Sequence, residues 1–309
     1  MAETAADSQY VWVNGQQVRY TEAKIHVLSH SLHYGCAVFE GIRAYPTPDG
    51  KAAAFRLREH FERFFNSLKV LDYHTPFGVE DLIAATRSLI RANSFKQCYI
   101  RPVAFIDDTV RGLELPKEPK ASICIAAWYW GKYMGDEGQQ KGVRVGVSSL
   151  RWPSASTTMP WAKVSGNYLL SVLARREAIL NGYDEAILLD PEGYVAEGPG
   201  ENIFMVKNNT LLTPPATHVM PGITRDSIMR IARDLGYNVR EENIIRNELY
   251  VADEIFFTGT AVEVTPIREV DHYTIGNGQP GPITRTLLSR YFEAVRGERP
   301  EYREWLTEV

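Results

Sequence analysis

Apolar positions along this chain change period several times. In YVWVNGQQVRY, residues 10–20, they alternate on either side of Asn14-Gly15. Alternation fits half-buried strands, and Asn-Gly supplies the positive φ values of a tight turn, so a hairpin is predicted. The period becomes helical over 57–72 and again over 79–92. YIRPVAFI (99–106) and ASICIAAWYW (121–130) read as strands, and the second is apolar enough to be expected deep in a sheet. GKYMGDEGQQKG (131–142) is polar, Gly-rich and without apolar period, which predicts a linker. Beyond it come a strand, VRVGVSSL, and a helix from about 167 to 181. A meander of DEAILLD, YVAEG, ENIFMVK and TLLTPP follows, broken by PEG and NN turns. PGITRDSIMRIARDLGY (221–237) sets Pro-Gly ahead of a helix with Ile228, Ile231, Ala232 and Leu235 on its apolar face. EIFFTGT and AVEVTPI read as closing strands. The expected class is mixed α/β, rich in antiparallel pairs and without the βαβαβ alternation of a doubly wound sheet. The expected organisation is a small N-terminal α/β domain over 1–130, the linker 131–142, and a larger domain over 143–309.

Composition narrows the class. The 309 residues are 44% hydrophobic and carry a net charge of -4, enough for two packed domains and with no basic run to bind nucleic acid. No stretch reaches the ~20 apolar residues of a membrane span. The polar, acidic start, MAETAADSQY, is not a signal peptide and is expected to fray. Three scattered cysteines, Cys36, Cys98 and Cys124, suggest reduced thiols and a cytoplasmic protein.

Candidate chemistry centres on TTMPWAKVSGNYLL, 157–170. Lys163 has no carboxylate near it in sequence. It reads either as a solvated loop lysine or as an amine desolvated by Trp161, Ala162 and Val164, with Tyr168 able to offer a hydrogen bond. A free lysine is a poor nucleophile at its usual pKa of about 10.4, and burial lowers that value. In YVAEGPGENIF, Glu197 ends a strand ahead of a Gly-Pro-Gly turn. It is either a solvated turn residue or an anion kept for a pyridinium N–H. Gly222, Ile223 and Thr224 stand at a helix start, where amide donors and dipole favour anions. TGTA (258–261) and Arg56 are further phosphate candidates, the bland alternatives being a turn and a surface arginine. His26, His30 and His33 tempt a metal reading. Their spacing lacks a ligand pattern, so they are expected to bond backbone groups instead. Tyr34 and Phe39 fit the aromatic walls of a pocket.

Taken with HSLHYGCAVFEGIR, FRLREH, YIRP, AAWYWGKY, AKVSGNY, EGPGENIF, PGITRD and GTAVEVTP, in that order, the sequence resembles the branched-chain amino acid aminotransferases. These are pyridoxal 5'-phosphate enzymes of fold type IV, two α/β domains with the active site at their interface. The resemblance runs from about residue 10 to 290. It implies that Lys163 bonds the cofactor and moves protons, that Glu197 binds the ring nitrogen and that Tyr168 binds the phenolate oxygen. It implies that Arg56, Ile223, Thr224 and Thr260 hold the phosphate. Tyr99 with the Thr260-Ala261 backbone would take the substrate's α-carboxylate, and Arg101 with Tyr34 the distal carboxylate of glutamate. Phe39, Trp130, Tyr133, Tyr168 and Met220 would wall the side-chain pocket. The implied reaction is transamination of Leu, Ile and Val with 2-oxoglutarate. Its implied partners are small amino and oxo acids and further copies of the chain, a dimer at least and a hexamer as the larger option. The loop 106–116 carries Arg111, a second cation that bears on donor range.

Other readings compete. A lyase similar to aminodeoxychorismate lyase would use the same lysine and glutamate to eliminate pyruvate, but YIRP, FEGIR and AAWYWGKY argue against it. A D-amino-acid transaminase is disfavoured by Tyr99-Ile100-Arg101-Pro102, and side activity on (R)-amines occurs among relatives. A metal-binding or scaffold protein would rest on the histidines alone.

Overall fold

In the computed structural model, residues 8–107, 112–217 and 219–309 are described. Of the start expected to fray, positions 1–7 lie outside those residues, as does the loop cation Arg111; Ser8 to Tyr10 do not fray, since Ser8 is buried and the Gln9 and Tyr10 amides donate to Asn93 Oδ1 at 2.8 and 3.0 Å.

In chain order the elements begin with β1 (Tyr10–Val13), β2 (Gln16–Arg19), α1 (His30–Tyr34), β3 (Val38–Phe39), β4 (Ile42–Pro46) and β5 (Ala52–Phe55). Then come α2 (Leu57–Val70), α3 (Val79–Ala92), β6 (Cys98–Phe105), β7 (Ser122–Trp128), α4 (Gly135–Lys141), β8 (Val143–Arg151) and α5 (Tyr168–Leu180). The meander gives β9 (Glu185–Leu189), β10 (Val195–Glu197), β11 (Asn202–Lys207) and β12 (Thr210–Thr213). The rest are α6 (Ile223–Asp234), β13 (Asn238–Glu241), α7 (Arg246–Tyr250), β14 (Glu254–Gly259), β15 (Glu263–Val270), β16 (Tyr273–Thr274), α8 (Pro282–Val295) and β17 (Leu306–Glu308).

Contacts divide the chain into two units. The first holds residues 1–130, 162–166 and 293–309; the second holds 131–161 and 167–292. This departs from the expected boundaries in three ways, the first being that 293–309, expected in the larger domain, joins the first unit, where β17 pairs antiparallel with β5. The segment carrying Lys163 groups with the first unit because it pairs there: Val164 bridges Val38 antiparallel, and Ser165 N–H donates to the Ala37 carbonyl at 2.8 Å. The polar stretch expected as a linker folds as α4, where Lys132–Asp136 and Lys141–Glu137 pair one turn apart.

The first unit is built on one sheet, ordered β17-β5-β4-β6-β7-β1-β2, with β3 beside β6. Asn14 and Gly15 take φ of 46° and 92° in the predicted hairpin. The sheet has two unlike faces. Ile42, Ile100, Ile123, Ile125 and Ala127 point to the face that packs on α2 and α3, against Phe61, Phe64, Leu68, Leu82 and Leu89. β7 lies inside the sheet, as expected, but its burial alternates. Its second face, with Trp128, is only half-buried, because strand side chains alternate.

The second unit has a sheet ordered β10-β9-β8-β15-β14-β11-β12-β13, with β16 beside β15. β8 pairs parallel with β9 and β15, and β12 with β13; the other pairings are antiparallel. Ile187, Ile203, Met205, Ile255 and Phe257 form one core, while Ala186, Leu188 and Ala196 pack with Ala174 and Ala178 of α5 on the opposite side. Apolar residues on both faces explain the near-continuous hydrophobic runs of EAILL and NIFMV.

Phe61 is fully buried in the first core. Phe61→Ala should lower stability by about 3–5 kcal/mol, read as a drop in the urea midpoint of the transition that reports this unit.

Candidate active site

The non-core face of the first sheet is where its chemistry collects. Tyr99 and Trp128 are direct cross-strand partners, Arg101 lies two residues along β6, and Phe39 pairs with Val103 on the same face. The Arg101 guanidinium carbon lies 4.9 Å from the Phe39 ring centre, 5.2 Å from that of Tyr99 and 6.0 Å from that of Trp128. Its Nη2 donates to the Tyr99 hydroxyl at 3.0 Å, while its Nε is buried without a partner. Trp130 stands edge-on to Tyr99 at 4.6 Å. The result is a cation in an aromatic cage. Trp128 was not among the expected site residues. Its strand position, in register with Tyr99, was the signal, but register is not visible in one strand's sequence.

Lys163 reaches the same ring from its own segment. Its Nζ lies 5.1 Å from the centre of Phe39. Its carbonyl accepts from Phe39 N–H at 3.1 Å and its N–H donates to Ser67 Oγ at 3.1 Å. Gly166 N–H donates to the Gly35 carbonyl at 2.6 Å, and a Cβ on Gly166 would sit 2.9 Å from that oxygen, so the motif needs glycine there. The expected shelter from Trp161 is absent. That ring is 56% exposed, with its Nε1 donating to the Ala216 carbonyl. Ala162 is buried, and the aromatic next to the amine is Phe39.

Beneath this face lies a charge network that sequence reading missed. Glu40, wholly buried, accepts from His60 Nδ1 at 2.8 Å, from Arg63 Nε at 2.6 Å and from Arg63 Nη2 at 3.0 Å. Burial raises the pKa of Glu40, but the charges of Arg63 and His60 and their hydrogen bonds outweigh it and hold the carboxyl far below the usual range. His60 is pushed down chiefly by burial, with the charges of Arg63 and Lys163 adding to it against Glu40. The arrangement is a carboxylate with a neutral imidazole donating from Nδ1, as that bond requires.

Other expected residues of the first unit are less concentrated. Tyr34 is 43% exposed, and its ring neighbours are His30 and His33, not Arg101. Arg56 takes a left-handed φ of 49° at the start of α2, pairs with Glu59 at 2.8 Å and lies over Trp305. Of the histidines, His33 contacts the Val27 carbonyl and His26 the Leu28 amide, as expected; His30 instead meets Cys36 Sγ at 3.4 Å and leaves Nε2 unpartnered.

In the second unit, Glu197 ends β10 and is buried. Asn202 Nδ2 donates to its Oε2 at 2.8 Å and Met220 N–H to its Oε1 at 3.4 Å. Asn202 also bonds the Met220 carbonyl, tying Glu197 to the turn that opens α6. Any Cβ on Gly222, at that helix start, would overlap the Asn202 oxygen. Ile223 and Thr224 are the first buried residues of α6. Thr258 faces Asn202 across the β11–β14 ladder, and its buried Oγ1 has no partner. Thr260 and Ala261 are half-buried in the turn after β14, and Tyr168 is the half-buried first residue of α5. Tyr133 bonds and stacks on Arg175, which also pairs with buried Glu185 at 2.6 Å. Glu201, next to that pair, is raised well above the usual carboxyl range by burial and by the charge of Glu185, and its Oε1 has no partner.

In the second unit a buried carboxyl, a helix N-terminus tied to it and an orphaned hydroxyl are groups suited to a phosphorylated pyridine, and in the first unit a peptide-anchored lysine is suited to an aldehyde, the donor types of the pyridoxal-phosphate class of enzyme. Residues 37–270 match the family amino-transferase class IV, and the chain belongs to it. It is 46% identical to a branched-chain-amino-acid aminotransferase of Pseudomonas aeruginosa over 97% of both chains, and 43% identical to that of Escherichia coli K12 over 99% of both. A solved branched-chain amino acid aminotransferase of T.th., complexed with N-(5'-phosphopyridoxyl)-L-glutamate, superposes with a TM-score of 0.93 at 46% identity, over 97% of this chain and 98% of that one. The fold is accordingly that of the fold-type IV aminotransferases.

His60 and Glu40 both bind fewer protons folded than unfolded, so both withdraw stability as pH falls, His60 below its ordinary 6.5 and Glu40 below its ordinary 4.5. Glu201 acts in the opposite direction, so the signature is a difference between variants. The excess melting temperature of wild type over His60→Asn should shrink as pH is lowered from 7.5 to 5. A constant excess would show that His60 does not titrate on unfolding.

Proposed function

We propose that this chain transaminates the branched-chain amino acids Leu, Ile and Val with 2-oxoglutarate, using pyridoxal 5'-phosphate. The carrying observation is Arg101 in its cage of Phe39, Tyr99 and Trp128. A transaminase of this kind must accept an apolar branched chain and an acidic chain by turns. Aromatic walls serve the first. A guanidinium with Nε unpaired serves the second, and the ring faces keep it in place when no carboxylate is bound. The near-full-length identity to branched-chain aminotransferases supports the same reading.

The bound cofactor supplies an electron sink for charge developing at the substrate's Cα. Glu197, which accepts two hydrogen bonds, would hold the ring nitrogen, and Tyr168 would hold the phenolate oxygen. Arg56, Ile223, Thr224 and Thr260 would hold the phosphate. Lys163 would hold the cofactor at its aldehyde and would carry the proton to and from the substrate's Cα. Tyr99, with the Thr260-Ala261 backbone, receives the α-carboxylate. Arg101 would meet the distal carboxylate, and Trp130, Tyr133 and Met220 would complete the apolar wall.

The working form is at least a dimer. α5 leaves Leu169, Val172, Leu173, Ile179 and Leu180 between 48% and 70% exposed, more apolar surface than one helix leaves uncovered without a partner. The compartment is the cytoplasm, consistent with three unpaired cysteines; among the described residues no helix is long and apolar enough to cross a membrane.

Lys163→Ala should abolish transamination of leucine and leave no cofactor attached to protein after borohydride reduction; leucine turnover at the wild-type rate refutes the assignment. Arg101→Ala should cost glutamate and 2-oxoglutarate about 2 kcal/mol, roughly 30-fold in kcat/KM, and leucine far less. Equal losses for both substrates would remove the dual role.

A further inference from the structure

α2 carries His60, Arg63 and Ser67 at spacing i, i+3, i+7, a stripe beside its core-packing residues Phe61, Phe64 and Leu68. None of the three lines the aromatic cage. All are nonetheless sequestered: His60 is 2% exposed, Ser67 is wholly buried and the Arg63 side chain is 14% exposed. A buried ion network is no more stabilising than apolar packing of equal volume, so its presence calls for a positional explanation.

The hydrogen bonds supply one. Glu40 directly follows Phe39, and its carboxylate is gripped by His60 and by both arms of the Arg63 fork. That fixes the chain at 39–41 against α2. The Lys163 peptide is attached to these same two elements. Its carbonyl takes the Phe39 N–H, and its N–H goes to Ser67 Oγ, which itself donates to the Arg63 carbonyl at 3.0 Å. Each side of the Lys163 peptide is therefore bonded to a group that the Glu40–Arg63–His60 network holds still. The charge of Lys163 is also among the smaller influences that push the His60 pKa down.

We infer that Ser67, with His60 and Arg63 acting through Glu40, forms a positioning device for Lys163, setting where its amine stands. Ser67 is the direct link; His60 and Arg63 act one bond further back. The inference rests on the reading that Lys163 bonds the cofactor aldehyde.

The test reads the lysine itself. Cofactor-free protein is mixed with pyridoxal 5'-phosphate and cyanoborohydride, and the rate of covalent attachment at Lys163 is followed by peptide mass spectrometry. Attachment at the exposed Lys51 and Lys141 serves as the internal reference. Ser67→Ala strips the acceptor from a half-buried amide and frees the segment to shift; misplacement of this size should slow attachment about tenfold or more. His60→Leu should slow it comparably, and His60→Asn, which keeps a donor for Glu40, should restore it to within about threefold of wild type. Melting curves establish that each variant is folded, and if His60→Leu fails to fold, Ser67→Ala decides alone. Attachment in folded Ser67→Ala at the wild-type rate overturns the inference and leaves the network a purely structural role. Wild type that labels Lys51 and Lys141 but not Lys163 overturns the underlying reading of Lys163 instead.

Discussion

A lysine nitrogen hangs from its backbone on a flexible four-carbon stem, so its position is only as definite as the peptide beneath it. In this chain that peptide is held on both sides, by Phe39 and by Ser67. The hold begins in sequence. Gly166 permits the close approach to Gly35, the approach lets 164 bridge 38, and the bridge brings the amine over the ring of Phe39. Each step removes freedom that a reaction at Lys163 would otherwise have to remove itself.

The same economy shapes the sheet beneath it. β6 and β7 spend alternate residues on the core, Ile100 with Ala127 and Ala104 with Ile123, and so leave Tyr99, Arg101 and Trp128 in register on the other face. The cage is thus a by-product of strand geometry. Nothing more than the pleat is required to put three aromatic rings around one guanidinium, and the core on the far side fixes the register that keeps them there. A cation stabilised by ring faces, with only one of its donors bonded in the cage, to Tyr99, can exchange its remaining partners without leaving its place.

How much of this could be read from sequence follows the range of each interaction. The β1–β2 hairpin, α2, α3 and the start of α6 were legible because Asn-Gly, helical periodicity and Pro-Gly act within a few residues. Lys163 and Glu197 were legible as motif residues, but their surroundings were not. Trp161, two residues away in sequence, is exposed, and Phe39, more than a hundred residues earlier, lies beside the amine. Glu40, His60 and Arg63 gave no signal, since each looks like an ordinary charged or polar residue until the fold brings them together. The 131–142 stretch misled because its i,i+4 ion pairs support a helix that has no apolar stripe to betray it.

The buried carboxyls show why composition alone cannot assign charge. Glu40 and Glu201 are both at least 95% buried, yet they come down on opposite sides. Glu40 has a fork and an imidazole aimed at it, and burial in a low dielectric strengthens those attractions until the anion wins. Glu201 has one backbone donor, Gly200 N–H at 2.9 Å, and two carboxylates, Glu185 and Glu197, within its field, so the same burial drives it toward the neutral acid. That difference matters for Glu197, which lies four residues before Glu201 and accepts two hydrogen bonds of its own. A charged Glu201 would raise the cost of a negative charge at Glu197; a neutral one removes that repulsion. The partner atoms around each carboxyl, more than burial itself, decide which of them can serve as the anion.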